Sequence, residues 1–340
     1  MNKLLKSFLI TTATVSSFLT FAQAAEYEWT MQSSDQPGIF MYQMEEEFSD
    51  WVKEMSQGRI EISVTPTNSV VPYSEVLDAV GANILQGEFD DPSYFTGKDA
   101  AFGFIGNSVG AWSSPYEALK FIYFGGGLET AQKLYEEYNV HLVGFLMTGV
   151  ESFVSSKPLN GVDDLKGLKL RAPEGMVQKV FAAAGAAPVN LPGSEVYTAL
   201  EKGVIDAADF SLFSVNQSQG MHDVGNYPVF PGFHSAPTLA ITLNKDIWDE
   251  LPVDLQQILE TAVRRLAMEV AMRYEMQDVE AVAKAKAEGV HVTDWSAEER
   301  AKFRKIAVGE WESLTSQSPL AKEYADQISV FLESQGLIQE

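Results

Sequence analysis

The sequence predicts an α/β protein of two domains with one long helix that runs across both. The first half of the chain alternates strand and helix patterns, as parallel α/β sheets do. Once a leader of 24 residues is set aside, about 316 residues remain, which is more than one hydrophobic core usually serves. Residues 253–288 contain neither Gly nor Pro and carry apolar residues at helical spacing, so they predict a single uninterrupted helix.

The first 24 residues have the layout of a secretory signal peptide. Lys3 and Lys6 precede an apolar stretch at 8–21, and the small-x-small pattern of residues 22–24 follows it. The alternative is a membrane anchor, but this stretch is shorter than the roughly 20 residues that span a bilayer and is interrupted by Thr and Ser. We expect cleavage after Ala24 and a periplasmic location, without a lipid anchor because the chain has no cysteine.

The charge of the chain excludes several kinds of partner. The formal net charge is −23, and it becomes about −25 when the two lysines of the leader are removed. Nucleic acid and anionic lipid would be repelled by such a surface. An anionic ligand would therefore need a local positive site inside a globally negative protein.

The mature chain opens with the pattern strand, loop, helix, strand. A short apolar run at 27–31 and a polar loop come first, then apolar residues at helical spacing up to Gly58, then alternation at 59–64. The other predicted elements are strands at 100–105, 140–145, 169–171 and 189–191 and helices at 129–138, 162–165, 176–184 and 195–202.

The helix predicted at 253–288 would be roughly 54 Å long, which exceeds the width of one domain. We therefore expect the two domains to be interleaved. The first is assigned to 25–148 with about 235–265, and the second to 149–234 with about 266–340.

Signals for catalysis are weak. Residues 106–110 match the G-x-S-x-G nucleophile pattern around Ser108, and a predicted strand precedes them, but no helix pattern follows directly. A secreted serine hydrolase using Ser108 is kept as an alternative function. The four histidines lack metal-ligand spacing and cysteine is absent, so a zinc site is not predicted.

Arg171 is the main candidate for binding a ligand. It ends a predicted strand just before the turn at Ala172-Pro173, a position that faces a crevice in α/β proteins. The alternative is a surface arginine that pairs with one of the many acidic residues.

The segment around Arg171 resembles the DctP-type substrate-binding proteins of TRAP transporters (tripartite ATP-independent periplasmic transporters). The resemblance is carried by DLKGLKLR at 164–171, LPGSEVY at 191–197, ALEKGVIDA at 199–207, Tyr227-Pro228, Pro231-Gly232, Asn244-Lys245 and FTGK at 95–98. It extends over essentially the whole mature chain.

The resemblance implies a periplasmic-binding-protein-like clamp with mixed sheets that closes on its ligand and delivers it to a membrane permease for ion-driven uptake. It implies no catalysis, and we expect a monomer. In the family, the arginine that matches Arg171 binds the carboxylate of the ligand. Here we expect a carboxylate or sulfonate, which could also be zwitterionic or bridged to the protein by a metal ion. A ligand receptor for a two-component sensor would have the same fold and stays an alternative.

Two positions depart from the common pattern of the family. Glu151 stands where many relatives have Arg or Gln, and Asp209-Phe210 stands where binders of keto acids have Glu-Trp. Glu151 and Asp209 could hold Na⁺ or Ca²⁺ through their oxygens. Glu151 could instead pair with an ammonium group of the ligand, or with Arg171 in the empty cleft, and the sequence leaves these three alternatives open.

Aromatic and polar residues complete the predicted ligand site. Tyr94, Phe210, Phe213 and Phe233 are expected at strand ends or loops that line the cleft, with Phe210 the first choice because the family usually has an aromatic residue there. Asn216 and His234 are proposed as hydrogen-bonding partners of the ligand.

Overall fold

The computed structural model describes residues 25–173 and 175–338, so the predicted signal peptide lies outside the described residues. The opening strand–helix–strand unit is confirmed. β1 (Tyr27–Ser33) pairs in parallel with β2 (Ile60–Thr65), and α1 (Phe40–Met55) connects them. The helix forms here because its apolar residues recur on one side, where Met44, Phe48 and Val52 are fully buried.

The first sheet has five strands in the order β2-β1-β3-β9-β4. β1 and β3 run parallel, whereas β9 is antiparallel to both of its neighbours, so the sheet is mixed as predicted. Its remaining strands are β3 (Gly87–Asp90), β4 (Val140–Met147) and β9 (Thr238–Asn244).

The second sheet has four strands in the order β5-β8-β6-β7. Its strands are β5 (Ser152–Ser155), β6 (Lys169–Arg171), β7 (Ala187–Val189) and β8 (Ala207–Ser211). β6 runs parallel to β8, with Arg171 beside Ala208, so the ends of these two strands meet at one edge of the sheet.

Helices cover both sheets. They are α2 (Val76–Gly81), α3 (Ala100–Gly106), α4 (Pro115–Phe124), α5 (Gly127–Glu136), α6 (Met176–Ala183), α7 (Gly193–Glu201), α8 (Phe213–Ser218), α9 (Met221–Val224), α10 (Lys245–Glu250), α11 (Val253–Ala287), α12 (Ala297–Glu310), α13 (Glu312–Thr315) and α14 (Pro319–Ser334). Among the described helices, none is long and apolar enough to cross a membrane.

The long helix is confirmed as α11, which has 35 residues and ends two residues before Gly289. It packs against α1 and β4 of the first sheet and against α8 of the second. The carboxylate of Asp278, which is buried, accepts a hydrogen bond of 2.7 Å from the backbone nitrogen of Ser214 in α8. One helix is thereby attached to both sheets.

The strand predicted at 100–105 is wrong, because this segment forms α3. Asp99 caps the helix by accepting a hydrogen bond of 2.7 Å from the backbone nitrogen of Ala101. A short apolar run does not distinguish a strand from a buried helix, and the cap decides in favour of the helix.

This correction also removes the basis of the nucleophile pattern at Ser108, since a helix and not a strand precedes it. The Ser108 side chain is buried, and its hydroxyl donates a hydrogen bond of 2.8 Å to the carbonyl oxygen of Phe104. The strand–turn–helix context that exposes a nucleophilic serine is not formed here.

The C-terminal helices divide between the two sheets. α12 packs on α6 of the second sheet, whereas α13 and α14 pack on α3, and α14 also on α5, of the first. The sequence assigned everything after about residue 266 to the second domain. We propose a boundary that gives α13 and α14 to the first domain and keeps two crossings, at residues 148–151 and 230–237.

Candidate ligand site between the two sheets

The two crossings between the sheets lie side by side. The backbone nitrogen of Glu151 donates a hydrogen bond of 2.8 Å to the carbonyl oxygen of Ser235. The approach is close enough to require a glycine at 232, since a Cβ atom there would overlap the carbonyl oxygen of Glu151. This contact brings Glu151 and His234, which are distant in sequence, to the same place.

Arg171 lies at the end of β6, half-buried, with its guanidinium group held by the backbone. Its Nε donates to the carbonyl oxygen of Leu191 at 3.1 Å, and its Nη1 donates to the carbonyl oxygen of Asp209 at 2.6 Å. Within residues 25–173 and 175–338, Nη2 has no hydrogen-bond partner in the protein. The side chain is therefore oriented before any ligand arrives.

Asp209 and His234 form a buried pair. His234 Nε2 lies 2.7 Å from Asp209 Oδ1, and both side chains are almost inaccessible to water. Burial alone would raise the pKa of Asp209, but His234, a hydrogen bond from Glu151 and the charge of Arg171 together hold this pKa below its usual value. Asp209 is thus ionised at neutral pH.

Glu151 is perturbed in the opposite direction. Burial first, and then the charge of Asp209 beside it, raise the pKa of the Glu151 carboxyl well above its usual value. Arg171 lowers this pKa only in part, and no salt bridge within 4.0 Å joins Arg171 to Glu151. Of the three alternatives for Glu151, pairing with Arg171 is not formed in this structure.

Glu151, Asp209 and His234 each offer one ligand atom, and these three atoms lie within 4.8 Å of one another. Two carboxylate oxygens suit a hard cation such as Na⁺ or Ca²⁺, while an imidazole nitrogen is not a ligand that these ions prefer. The free Nδ1 of His234 is buried without a partner among the described residues. The oxygens of Glu151 and Asp209 therefore fit a hard cation, with His234 orienting Asp209.

Of the four aromatic residues predicted at the site, two are partly exposed and two are buried. Phe210 lies half-buried on β8 next to Gly193, and Tyr94 is 44% exposed in the first domain. Phe213 is fully buried, with its ring centroid 4.3 Å from that of His222. Phe233 stacks on Trp295 with a centroid distance of 3.9 Å. We place Phe213 and Phe233 in the core, and Phe210 and Tyr94 at accessible positions.

Asn216 lies on α8 and is fully buried. Its Nδ2 donates to the carbonyl oxygens of Ser211, at 2.9 Å, and Ser152, at 3.3 Å. The side chain thus joins the end of β8 to the start of β5, and its role toward a ligand stays a prediction.

Sequence reasoning missed a group of buried and half-buried acidic residues on the first domain, which we call the acidic wall and define as Asp35, Asp90 and Asp91. Asp35 follows β1 and Asp90 ends β3, and these parallel strands have their carboxyl ends at the same edge of the sheet. Burial first, and then the charges of Glu88 and Asp91, raise the pKa of Asp90 well above its usual value, and the charge of Asp91 also acts on Glu151 of the second domain. Carboxylates at the end of one strand and just after another were the available signal.

Another carboxyl group near the wall, that of Glu88, makes the stability of the protein depend on pH in a way that can be tested. Burial raises the pKa of the fully buried Glu88 to about 8, although Thr242 donates a hydrogen bond to it. Between pH 4.5 and 8 the folded protein keeps a proton that the unfolded chain releases, so stability falls as pH rises, by up to about 1.4 kcal/mol per pH unit.

We expect Glu88→Gln to unfold at a higher temperature than the parent protein at pH 8 and to match it closely near pH 4.5. Thermal unfolding followed by circular dichroism between pH 4.5 and 9 measures this difference. Glu54→Gln, which changes an exposed carboxylate, is the matched control. If the melting temperatures of Glu88→Gln and the parent protein changed in parallel with pH, the raised pKa of Glu88 would be contradicted.

Known proteins share the sequence pattern and the fold of this chain. Residues 33–317 match the model of the DctP family, the bacterial extracellular solute-binding proteins of family 7. A solved TRAP periplasmic solute-binding protein from Rhodobacter sphaeroides, in an open form without ligand, is 46% identical. It covers 92% of this chain and all of its own, with a TM-score of 0.88.

Two further relatives have ligands in their names. A monocarboxylate 2-oxoacid-binding periplasmic protein from Nostoc is 29% identical over 94% of this chain and 90% of its own. A TRAP solute-binding protein from Colwellia psychrerythraea, solved with bound calcium and pyruvate, is 26% identical with a TM-score of 0.75 over 91% of this chain and 95% of its own. The chain therefore belongs to the DctP family of bacterial extracellular solute-binding proteins, as its sequence motifs predicted.

Proposed function

We propose that this protein is a periplasmic receptor that binds a small organic acid through Arg171 and delivers it to a TRAP permease for ion-driven uptake. The mature chain would begin at residue 25 and act as a monomer. The observation that carries the proposal is the orientation of the Arg171 guanidinium, which two backbone carbonyls hold at the carboxyl edge of the second sheet. Ligands of open α/β sheets bind at this edge.

The chemistry of arginine supports an acid as the ligand. A guanidinium group is planar, stays charged when buried, and matches a carboxylate or sulfonate with two parallel hydrogen bonds. With Nε and Nη1 already bonded to backbone oxygens, the side chain loses little further freedom when a ligand binds. The hydrolase alternative has no comparable support, since the Ser108 hydroxyl is buried and bonded to its own helix.

We further propose that a Ca²⁺ or Na⁺ ion accompanies the acid. Glu151 and Asp209 would hold it with one oxygen each, and the ion would neutralise two carboxyl groups that now share one proton. The Nostoc relative is named for 2-oxoacids and the Colwellia structure holds calcium with pyruvate, which makes 2-oxoacids the first ligands to test.

A thermal-shift panel on the mature protein tests the proposed function. The panel contains 2-oxoacids, simple carboxylates, sulfonates and zwitterions, each with Ca²⁺ and with a chelator instead. A ligand present at 100 times its Kd stabilises the folded state by about 2.7 kcal/mol, which raises the melting temperature measurably. No shift with any acid in either condition would reject an organic-acid receptor.

Glu151→Gln is expected to remove the effect of Ca²⁺. The amide keeps the size of the side chain but offers a neutral oxygen, so the difference in affinity between Ca²⁺ and chelator should shrink by about tenfold or more. Calorimetric titration with pyruvate measures the difference, and Glu201→Gln on an exposed position of α7 is the matched control. If Glu151→Gln instead abolished binding of zwitterions alone, the carboxylate would be recognising an ammonium group.

A further inference from the structure

The acidic wall lies at the carboxyl edge of the first sheet, and the charge of Asp91 reaches Glu151 of the second domain. β1 and β3 are adjacent parallel strands, and just after β1 the backbone nitrogen of Ser34 donates a hydrogen bond of 2.8 Å to the carbonyl oxygen of Phe89 in β3. Asp35 lies two residues after β1, and Asp90 is the last residue of β3. The carboxyl edge of the first sheet thus presents acids, and the same edge of the second sheet presents Arg171.

The three acids of the wall have no cation to neutralise them. Within residues 25–173 and 175–338, no lysine, arginine or histidine forms a salt bridge with Asp35, Asp90 or Asp91. Other acids of the same domain are paired, such as Asp78 with Lys98 at 2.6 Å. Asp91 is used in part, because it caps a short 3-10 helix through the backbone nitrogen of Ser93.

A further carboxyl group, on α1, lies near Asp35 of the wall and is also unpartnered. Glu45 is fully buried, and neither of its carboxylate oxygens has a hydrogen-bond partner among the described residues. Burial first, and then the charges of Asp35 and Glu46, raise the pKa of Glu45 well above its usual value, and the charge of Glu45 in turn acts on Asp90. A buried carboxyl without a partner costs free energy, and a cationic group bound beside it would lower that cost.

Two tyrosine rings stand beside the acids. Tyr73 and Tyr94 are 46% and 44% exposed and meet edge to face, with ring centroids 4.9 Å apart. Burial, and then the charges of Asp91, Asp90 and Asp35, raise the pKa of the Tyr94 hydroxyl, so these acids lie near it. Aromatic faces next to carboxylates attract alkylammonium groups in preference to strongly hydrated inorganic ions.

We infer that the acidic wall and the ring of Tyr94 bind a cationic nitrogen of the ligand, whose acid group is held by Arg171 in the opposite domain. The ligand is then a zwitterion, with its two charges separated by the width of the cleft. This inference rests on the proposed function and adds the substrate class to it. A simple carboxylate would leave the wall unpaired and would bring its negative charge closer to three others when the cleft closes.

The test uses ω-amino acids of two to six carbons and the straight-chain monocarboxylates of the same lengths. Affinities for the mature protein are measured by calorimetric titration, with Ca²⁺ and with a chelator. We expect at least one amino acid to bind about tenfold or more tightly than its matched carboxylate. Asp35→Asn should remove this advantage, whereas Asp50→Asn on α1 should keep it. Asp35 is half-buried and its carboxylate holds no other group, so the variant is expected to fold.

Asp90→Asn provides a second variant, and circular dichroism checks that both variants fold. Equal affinity for amino acids and matched carboxylates, or an advantage that survives both substitutions, would overturn the inference while leaving the receptor intact. Binding of Ca²⁺ alone that is lost in Asp35→Asn and kept in Glu151→Gln would overturn it too, because the wall would then be a metal site. If no acid binds at all, the proposed function fails first, and the inference fails with it.

Discussion

Replacing Arg171 by alanine is expected to weaken binding of every acidic ligand by about thirtyfold or more, since the loss of one partner of a buried charge pair costs roughly 2–5 kcal/mol. The effect is large because the ligand's acid group would remain in the cleft beside Asp209 and Glu151 without a counter-charge. Calorimetric titration with the tightest ligand of the thermal-shift panel measures the loss.

Two further variants show whether the loss is specific. Arg171→Lys keeps the charge but not the planar fork, so its affinity should lie between those of the parent protein and Arg171→Ala. Lys305→Ala, on an exposed position of α12, is the control and should bind normally. Unchanged affinity in Arg171→Ala, with the fold intact by circular dichroism, would reject Arg171 as the ligand anchor.

Phe233→Ala is expected to lower the free energy of unfolding by about 3–5 kcal/mol, the usual cost of deleting a buried aromatic ring. The ring of Phe233 stacks on Trp295 at 3.9 Å and meets Phe303 edge to face at 4.9 Å. It also covers the ring of His234, whose position fixes Asp209. Urea unfolding of the parent protein and the variant measures the difference.

Phe210→Ala is the matched comparison, because this ring is only half-buried on β8. We expect its unfolding free energy to change less than that of Phe233→Ala, and its ligand affinity to change more. If Phe233→Ala kept its stability and lost ligand binding, Phe233 would be a ligand contact and its placement in the core would be contradicted.

The fold could be predicted wherever a long pattern had one interpretation. The helix at 253–288 was visible because 36 residues without Gly or Pro repeat their apolar positions, and α11 confirms it. The segment at 100–105 was wrongly predicted because its apolar residues are too few to show a period, while the Asp99 cap becomes visible only with the backbone in place. The attachment of α14 to α3 and α5 depends on tertiary packing, which no local pattern encodes.

The site could be predicted only in part, because some of its contacts depend on tertiary packing. Arg171 was visible because it ends a strand before a turn and lies in a recognisable motif. The contact of His234 with Asp209 joins residues 25 positions apart, and it depends on how the second crossing lies against the first. The acidic wall depends on the pairing of β1 with β3, which brings together residues from separate parts of the chain.

The attachment of α11 to both sheets has a consequence for affinity. If the domains rotate toward each other around a ligand, a helix that packs on β4 and also holds α8 through Asp278 must change its curvature. The free energy of that bending opposes the free energy of the ligand contacts. It therefore determines the population of the closed form in the ligand-free protein. Substitutions along α11 can then tune the affinity for every ligand by a common factor, without changing any residue that the ligand touches.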